Sequence, residues 1–228
     1  PGPVLDTMIV LEPNNISLVE EAIQKNDVAA VILEPTGAHM GQEPIKPVFL
    51  DELRDVTQRN GVVFIMDEVV TGFRTSRTGA SGYYGVVPDL STHAKILGGG
   101  LPGACVAGKT DILDMIQFRD DPDFNSNGRV SHNGTFNANP LSAAAGVTAL
   151  RIVRDESVND VATERASQLK TGLNEILTRK EIPGIATGIA SIVFLRIGLN
   201  VDNEDALYDV PIDDLEPRSD LKKLGGLA

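Results

Sequence analysis

The stretch that decides the fold reads GVVFIMDEVVTGFR at residues 61–74 and PDLSTHAKILGGG at residues 88–100. Five apolar residues follow the turn signal Asn60-Gly61, which predicts a strand buried on both faces of a parallel sheet. The strand ends on Asp67 and Glu68, and Lys95 comes shortly before three glycines. Because ligands bind at the carboxyl edge of open α/β sheets, we expect Asp67 and Lys95 to flank one small molecule.

The preceding segments extend the same sheet. Residues 28–33 are apolar and end at Glu34-Pro35, where proline stops strand pairing, so they predict a second buried strand with an acid at its carboxyl end. Apolar residues at helical spacing predict a helix that begins at Pro47 and stops before Gly61. The order strand, helix, strand implies a right-handed crossover between parallel strands of one sheet.

The remaining pattern is typical of an α/β protein. We expect a mainly parallel sheet sandwiched by helices in residues 1–154, followed by the start of a small α+β C-terminal domain and a polar tail in residues 155–228. Further strands are predicted at 7–11, 90–93, 104–107 and 189–197, helices at 18–25 (with Ser17 as N-cap), 140–154 and 159–177, and a loop at 71–84. The start without methionine and the Asp-rich tail lead us to expect a fragment of a longer protein.

The composition limits the class of protein. The chain has 228 residues, 42% of them hydrophobic, and a net charge of −12 at pH 7. This content is enough for a real core, and the acidic balance argues against partners such as nucleic acid or an anionic membrane. The chain has one cysteine, Cys105, which excludes an internal disulfide framework and leads us to expect a cytoplasmic protein. We expect Cys105 itself to be a small core residue. The three histidines and one cysteine show no spacing typical of metal ligands.

Asp67 and Lys95 together offer a specific chemistry. A lysine amine forms a Schiff base with an aldehyde, and a carboxylate can hold a pyridinium nitrogen protonated, which makes the ring an electron sink. Pyridoxal phosphate requires both groups, and its phosphate requires amide and hydroxyl donors such as those of Gly134-Thr135. The residue types meet this requirement, but their spacing alone does not assign it.

Five segments carry a resemblance to a known family. They are Glu34-Pro35, DEVVTGFR at 67–74, YYGV at 83–86 with PDL at 88–90, KILGGGLPGA at 95–104, and GTFNANP at 134–140. In this order the chain resembles the class III aminotransferase family of fold-type I pyridoxal phosphate enzymes, and most of all its glutamate-1-semialdehyde 2,1-aminomutase branch. The resemblance implies an aminotransferase or aminomutase that acts on a small amino or oxo acid.

The resemblance also implies a role for each matching residue. Asp67 would pair with the pyridine nitrogen of pyridoxal 5'-phosphate, and Val69 would pack on one face of its ring. Lys95 would form the Schiff base and move the proton between substrate and cofactor. Gly134 and Thr135 would bind the phosphate of the neighbouring subunit's cofactor, so the resemblance implies a homodimer with shared active sites.

Departures from the family pattern leave the reaction open. His39 stands where the aminomutase branch has asparagine, and Val70 stands where many transaminases of the family have glutamine. We interpret Glu34 equally as a loop acid or as support behind the site, and His39 as a structural or solvent-facing residue rather than a substrate contact. The family's upstream phosphate loop and stacking aromatic belong to a part of the fold that precedes residue 1.

Two other classes of function remain as alternatives. The pattern GACVAGKT begins at Gly103, ends at Thr110 and matches the phosphate-binding loop of nucleotide triphosphatases. Its context argues against that function, because Pro102 precedes it and its four middle residues are apolar enough to form a strand themselves. The third class is a catalytically inactive homologue or fragment that serves only as an assembly partner.

Overall fold

A four-stranded sheet forms the centre of the computed structural model, which describes residues 2–37 and 43–215. Its strands, in spatial order, are β1 (Ala30–Leu33), β2 (Val63–Asp67), β3 (Leu90–His93) and β4 (Cys105–Gly108). The first three strands run parallel, and β4 pairs antiparallel with β3. The predicted mainly parallel sheet is therefore confirmed, including the parallel pairing of β1 with β2.

Helices and a second sheet complete the described chain. The helices are α1 (Gly2–Leu5), α2 (Ile16–Lys25), α3 (Pro47–Arg59), α4 (Gly79–Tyr84), α5 (Thr110–Leu113), α6 (Pro140–Asp155), α7 (Val158–Arg179) and α8 (Ile212–Leu215). Single turns of 3-10 helix occupy Lys95–Gly98, Asp114–Ile116 and Asp205–Asp209, and a π-helical turn occupies Phe124–Gly128. Antiparallel strands β5 (Gly184–Thr187) and β6 (Phe194–Ile197) form the second sheet, against which α7 packs.

The main core lies between α3 and one face of β2. Leu50 and Leu53 of α3 pack with Phe64 and Met66 of β2, and all four side chains are almost fully excluded from solvent. The alternate residues of β2, including Ile65, are only half-buried. The expectation that this strand is buried on both faces was therefore wrong, because the described chain covers its second face only in part.

Several local predictions need correction. Residues 7–11 form no strand in the described structure, and Val10 is largely exposed. Helix α2 is capped by Asn15, whose side chain accepts from the amide of Leu18, and not by Ser17. Cys105 is exposed rather than in the core, since β4 lies at the edge of the sheet. The strand predicted at 189–197 is limited to its last four residues.

A buried acid ties three elements of the sheet layer together. Asp89 accepts hydrogen bonds from the Phe64 amide at 2.8 Å, from Arg54 at 2.9 Å and from Lys109 at 2.6 Å. Its side chain is 6% exposed. Burial by itself would raise the pKa of Asp89, but the hydrogen bonds from Lys109, the Phe64 amide and Arg54 outweigh it and lower the pKa. The ionised form of Asp89 therefore stabilises the contact between α3, β2 and Lys109, which directly follows β4.

Replacement of Asp89 tests this contact. Because the pKa of Asp89 is lower in the folded state, its contribution is present above the unfolded value of about 3.9 and is lost as pH falls through the folded value. Asp89→Asn should lower the free energy of unfolding at pH 7 by about 3 kcal/mol, since Arg54 and Lys109 lose their partner. It should also flatten the acid dependence below about pH 4.

Urea unfolding between pH 3 and pH 7 measures both effects. Asp55→Asn is the matched control, because Asp55 lies exposed on the same helix, α3. Equal stability of the two variants at pH 7, or an unchanged acid dependence in Asp89→Asn, would contradict the account of this ion cluster.

Candidate active site

Asp67 is the last residue of β2, at the carboxyl edge of the sheet. Its Oδ1 atom accepts a hydrogen bond from the Thr92 hydroxyl at 3.0 Å and another from the Val69 amide at 3.0 Å. Its Oδ2 atom makes no hydrogen bond to any residue of the described chain. One oxygen of the carboxylate is thus held in place by two donors, and the other is available to a ligand.

Lys95 lies two residues after the end of β3 and opens a turn of 3-10 helix. Its φ of 49° lies in the left-handed region, which costs a residue with a Cβ atom about 1 to 3 kcal/mol and persists only when neighbouring structure enforces it. The side chain is exposed and has no ion pair or hydrogen bond within residues 2–37 and 43–215. The amine is therefore free to react with a small molecule.

Helix α6 supplies the structure that holds the Lys95 turn. A Cβ atom built on Gly99 would lie 2.5 Å from the carbonyl oxygen of Ala145, and one built on Gly146 would lie 2.5 Å from that of Leu97. Contacts this short are possible only for glycine. The two glycines therefore let α6 pack directly on the backbone that follows Lys95.

Replacement of Gly146 by alanine tests this close packing, because the sign of the change in stability distinguishes a close contact from an ordinary helix position. In an ordinary helix interior, glycine to alanine stabilises by about 0.8 to 1 kcal/mol. Gly146→Ala should instead destabilise by about 1 to 3 kcal/mol, because its methyl group meets the Leu97 carbonyl. Gly172→Ala in α7 is the control, since a Cβ atom there meets nothing within 4 Å, and it should stabilise. Urea unfolding of both variants gives the answer, and stabilisation by Gly146→Ala would disprove the close packing.

Glu68 has a structural role that differs from that of its neighbour Asp67. It is 1% exposed, and its carboxylate accepts from the amides of Ala80 at 2.6 Å and Ser81 at 3.1 Å and from the Thr71 hydroxyl at 3.2 Å. The Ala80 and Ser81 amides belong to the first turn of α4, where backbone amides have no partner within the helix. The segment predicted as a loop at 71–84 therefore ends in a helix because a distant acid caps it.

Glu34 lies beside Asp67 at the same edge of the sheet. It directly follows Leu33, which pairs with Met66 of β2. Its Oε1 atom accepts from the Thr36 amide at 3.0 Å and the Thr36 hydroxyl at 2.6 Å, so it closes the turn after β1. These contacts favour the interpretation of Glu34 as a loop acid with a structural role.

A tyrosine near this edge stays protonated at neutral pH. Burial, followed by the charges of Tyr83, Tyr208 and Glu34, raises the pKa of Tyr84 above its ordinary value. Its hydroxyl group is therefore a hydrogen-bond donor or acceptor, not a charged base.

The remaining predicted site residues are Val69, Gly134, Thr135 and His39. Val69 is half-buried beside Asp67. Gly134 and Thr135 lie in an exposed turn, closed by a hydrogen bond from the Asn137 amide to the Gly134 carbonyl at 3.0 Å. No hydrogen bond in the described chain links this turn to Asp67 or Lys95. His39 lies outside the described residues.

The stretch that resembles a nucleotide phosphate loop has a different structure. Residues Cys105–Gly108 form β4, so their backbone amides belong to a strand and not to an open loop. The Lys109 amine contacts Asp89 at 2.6 Å. Neither the backbone nor the lysine is arranged to bind phosphate, so the structure gives no support to the triphosphatase alternative.

Thr92 is a site residue that the sequence did not single out. It pairs with Asp67 across β2 and β3, which brings its hydroxyl to the carboxylate. Both strands were predicted, but their relative register was not, and a shift of one residue would place a different side chain beside Asp67. The sequence does not specify the register between β2 and β3, and without that register Thr92 could not be identified.

Metal-ligand clusters and membrane-spanning helices are both absent from the part of the chain that the structure describes. No group of three or more His, Cys, Asp or Glu residues there is arranged to hold a metal ion. None of its helices combines the length and apolar character needed to cross a membrane.

The mainly parallel sheet with its packed helices is the fold of a fold-type I transferase. The family model described as "Aminotransferase class-III" matches residues 8–190. The chain therefore belongs to the class III aminotransferase family, as the sequence motifs indicated.

Curated relatives support the expected branch. The chain is 35% identical over 206 residues to a glutamate-1-semialdehyde 2,1-aminomutase of Sulfurisphaera tokodaii, covering 90% of this chain and 47% of the relative. It is 42% identical over 189 residues to the aminomutase of Methanococcoides burtonii, covering 81% of this chain and 42% of the relative. The chain thus spans about half the length of the curated relatives it matches.

Solved structures confirm the fold. An omega-transaminase from Sphaerobacter thermophilus superimposes with a TM-score of 0.82 and 33% identity, over 96% of this chain and 48% of the transaminase. A glutamate-1-semialdehyde aminomutase from Pseudomonas aeruginosa, in complex with PMP, gives a TM-score of 0.71 and 27% identity, over 82% of this chain and 42% of the aminomutase. Both transaminases and aminomutases share this fold.

Proposed function

We propose that this chain forms part of the active site of a pyridoxal 5'-phosphate-dependent enzyme that moves amino groups on a small amino or oxo acid. The observation that carries the proposal is the Asp67 carboxylate, in which Oδ1 is held by two donors and Oδ2 is available at the sheet edge. The exposed amine of Lys95 extends from the end of the neighbouring strand. An acid anchor and a reactive amine at one edge fit the cofactor's two chemical requirements.

Each residue has a defined task in this proposal. Bound pyridoxal phosphate supplies an electron sink when its ring nitrogen is protonated. Asp67 Oδ2 would hold the proton at that nitrogen, and Val69 would pack on the ring face. Lys95 would hold the cofactor through its amine and would serve as the base that moves a proton between the substrate carbon and the cofactor. Glu34 would support the turn beside Asp67.

A homodimer would complete the site. In the proposal, Gly134 and Thr135 bind the phosphate of the cofactor in the neighbouring subunit. Apolar side chains next to this turn are exposed in the single chain, which supports a contact with a second subunit there: Phe136 is 80% exposed and Leu141 is 69% exposed. Apolar surface of this kind favours a protein partner. We further propose a cytoplasmic protein and a domain division near residue 154, where α6 gives way to α7.

Two reactions fit the proposed site: transamination, which moves the amino group between two molecules, and aminomutation, which moves it within one molecule. The curated relatives are glutamate-1-semialdehyde 2,1-aminomutases, and this observation favours aminomutation as one candidate. The omega-transaminase of known structure favours transamination as the other. A screen of the complete protein with glutamate-1-semialdehyde alone and with pairs of amino donors and oxo-acid acceptors distinguishes them.

Reduction with borohydride tests the proposed role of Lys95. The complete protein with pyridoxal phosphate should absorb at about 410 to 430 nm, and reduction should fix the cofactor on the peptide that contains Lys95. Lys95→Ala should lose the absorbance and the adduct, because in this proposal the Lys95 amine is the group that bonds to the cofactor. Peptide mass spectrometry after reduction measures the adduct.

The control for this test is Lys180→Ala, since Lys180 is exposed and follows the end of α7. It should keep the adduct. An adduct retained in Lys95→Ala would refute the assignment of the reactive lysine. Failure of the complete wild-type protein to bind the cofactor at high concentration would favour the catalytically inactive homologue instead.

A further inference from the structure

We propose that Thr92 is a positioning residue that orients Asp67 toward the cofactor, an inference that rests on the proposed function. Thr92 lies on β3 and pairs with Asp67 of β2 in the parallel register. Its hydroxyl donates to Asp67 Oδ1 at 3.0 Å. The contact joins two neighbouring strands at the edge where the cofactor would bind.

The two donors on Asp67 act from different elements. The Val69 amide, at 3.0 Å, belongs to the turn that follows Asp67 itself, so it closes a local turn around the side chain. A local contact alone leaves the carboxylate free to move with its own turn. The Thr92 hydroxyl fixes the same oxygen to the neighbouring strand, and together the donors leave Oδ2 as the atom that accepts from the ring nitrogen.

Strand β3 therefore positions both reactive groups. Thr92 holds the acid, and Lys95 supplies the amine where the same strand ends. Small errors in the relative position of such groups are costly, because the bound geometry must bring reacting atoms close together in the correct orientation. A rigid strand that carries both contacts keeps the distance between anchor and amine constant.

Side chains alternate between the two faces of β3, which provides a control that distinguishes the positioning role of Thr92 from a general effect on the stability of the strand. Successive side chains of a strand point to opposite faces, so Ser91 and His93 lie on the face opposite Thr92. The Ser91 hydroxyl and His93 Nε2 are 2.9 Å apart, and His93 packs against Phe73 with 5.5 Å between ring centroids. Ser91 therefore offers a hydroxyl on the same strand that does not contact Asp67.

Three variants of the complete protein test the inference. Thr92→Val keeps the branched shape and removes the hydroxyl, Thr92→Ser keeps the hydroxyl, and Ser91→Ala removes the hydroxyl on the opposite face. Binding of pyridoxal phosphate is measured by titration of each cofactor-free protein. The protonation of the bound ring nitrogen is followed between pH 6 and pH 10 by nitrogen-15 NMR with labelled cofactor.

The expected results differ between the variants. Thr92→Val should bind the cofactor about tenfold more weakly, the effect of one lost hydrogen bond to a charged group. Its ring nitrogen should lose the proton about one pH unit lower than in the wild type. Thr92→Ser should restore both values to within about twofold, and Ser91→Ala should match the wild type.

Each contrary result has a distinct meaning. Wild-type values in Thr92→Val, or equal losses in Thr92→Val and Thr92→Ser, would overturn the role of the hydroxyl while leaving the proposed function intact. A wild-type protein that binds no pyridoxal phosphate would overturn both proposals. Crystal structures of the cofactor-free variants add an independent readout, since Asp67 should keep its side-chain rotamer in Thr92→Ser and change it in Thr92→Val.

Discussion

The site depends on the parallel pairing of β2 with β3. This pairing sets Asp67 opposite Thr92, so that the hydroxyl of one strand holds the carboxylate of the other at 3.0 Å. It also places the turn of Lys95 at the same edge, where glycine contacts with α6 hold the backbone. A shift of one residue in the register would turn the acid to the other face. Hydrogen bonding within the sheet therefore decides whether the anchor and the amine can serve one ligand.

Three acids at the ends of the sheet strands show how burial and partners separate structural from chemical roles: Asp89 lies at the amino edge, and Asp67 and Glu68 lie at the carboxyl edge. Asp89 is buried and paired with Arg54 and Lys109, and Glu68 is buried and caps α4. Only Asp67 combines a half-buried position with an oxygen that has no partner among the described residues. Buried acids that are fully hydrogen-bonded stabilise a fold, whereas an acid with a free oxygen at a strand end can receive a ligand.

The sequence predicted the parts of the fold that follow from local pattern. The apolar run before Asp67, the helix that begins at Pro47 and the order of elements gave the parallel sheet, and the motifs gave the family. Features that depend on distant contacts were not predictable: the helix capped by Glu68, the exposure of Cys105 at a sheet edge, and the register that selects Thr92. The roles of Asp67, Val69, Lys95, Gly134 and Thr135 stay predictions, as does the division near residue 154.

In the proposed enzyme Asp67 and Lys95 hold one cofactor between them, and a crystal structure of the complete protein with pyridoxal phosphate is the decisive measurement. We expect the ring nitrogen at a hydrogen-bond distance of about 2.7 to 3.2 Å from Asp67 Oδ2, with continuous density from the cofactor to Lys95 Nζ. A cofactor bound elsewhere, or density that joins it to another lysine while Asp67 faces solvent, would rule out this arrangement of Asp67 and Lys95.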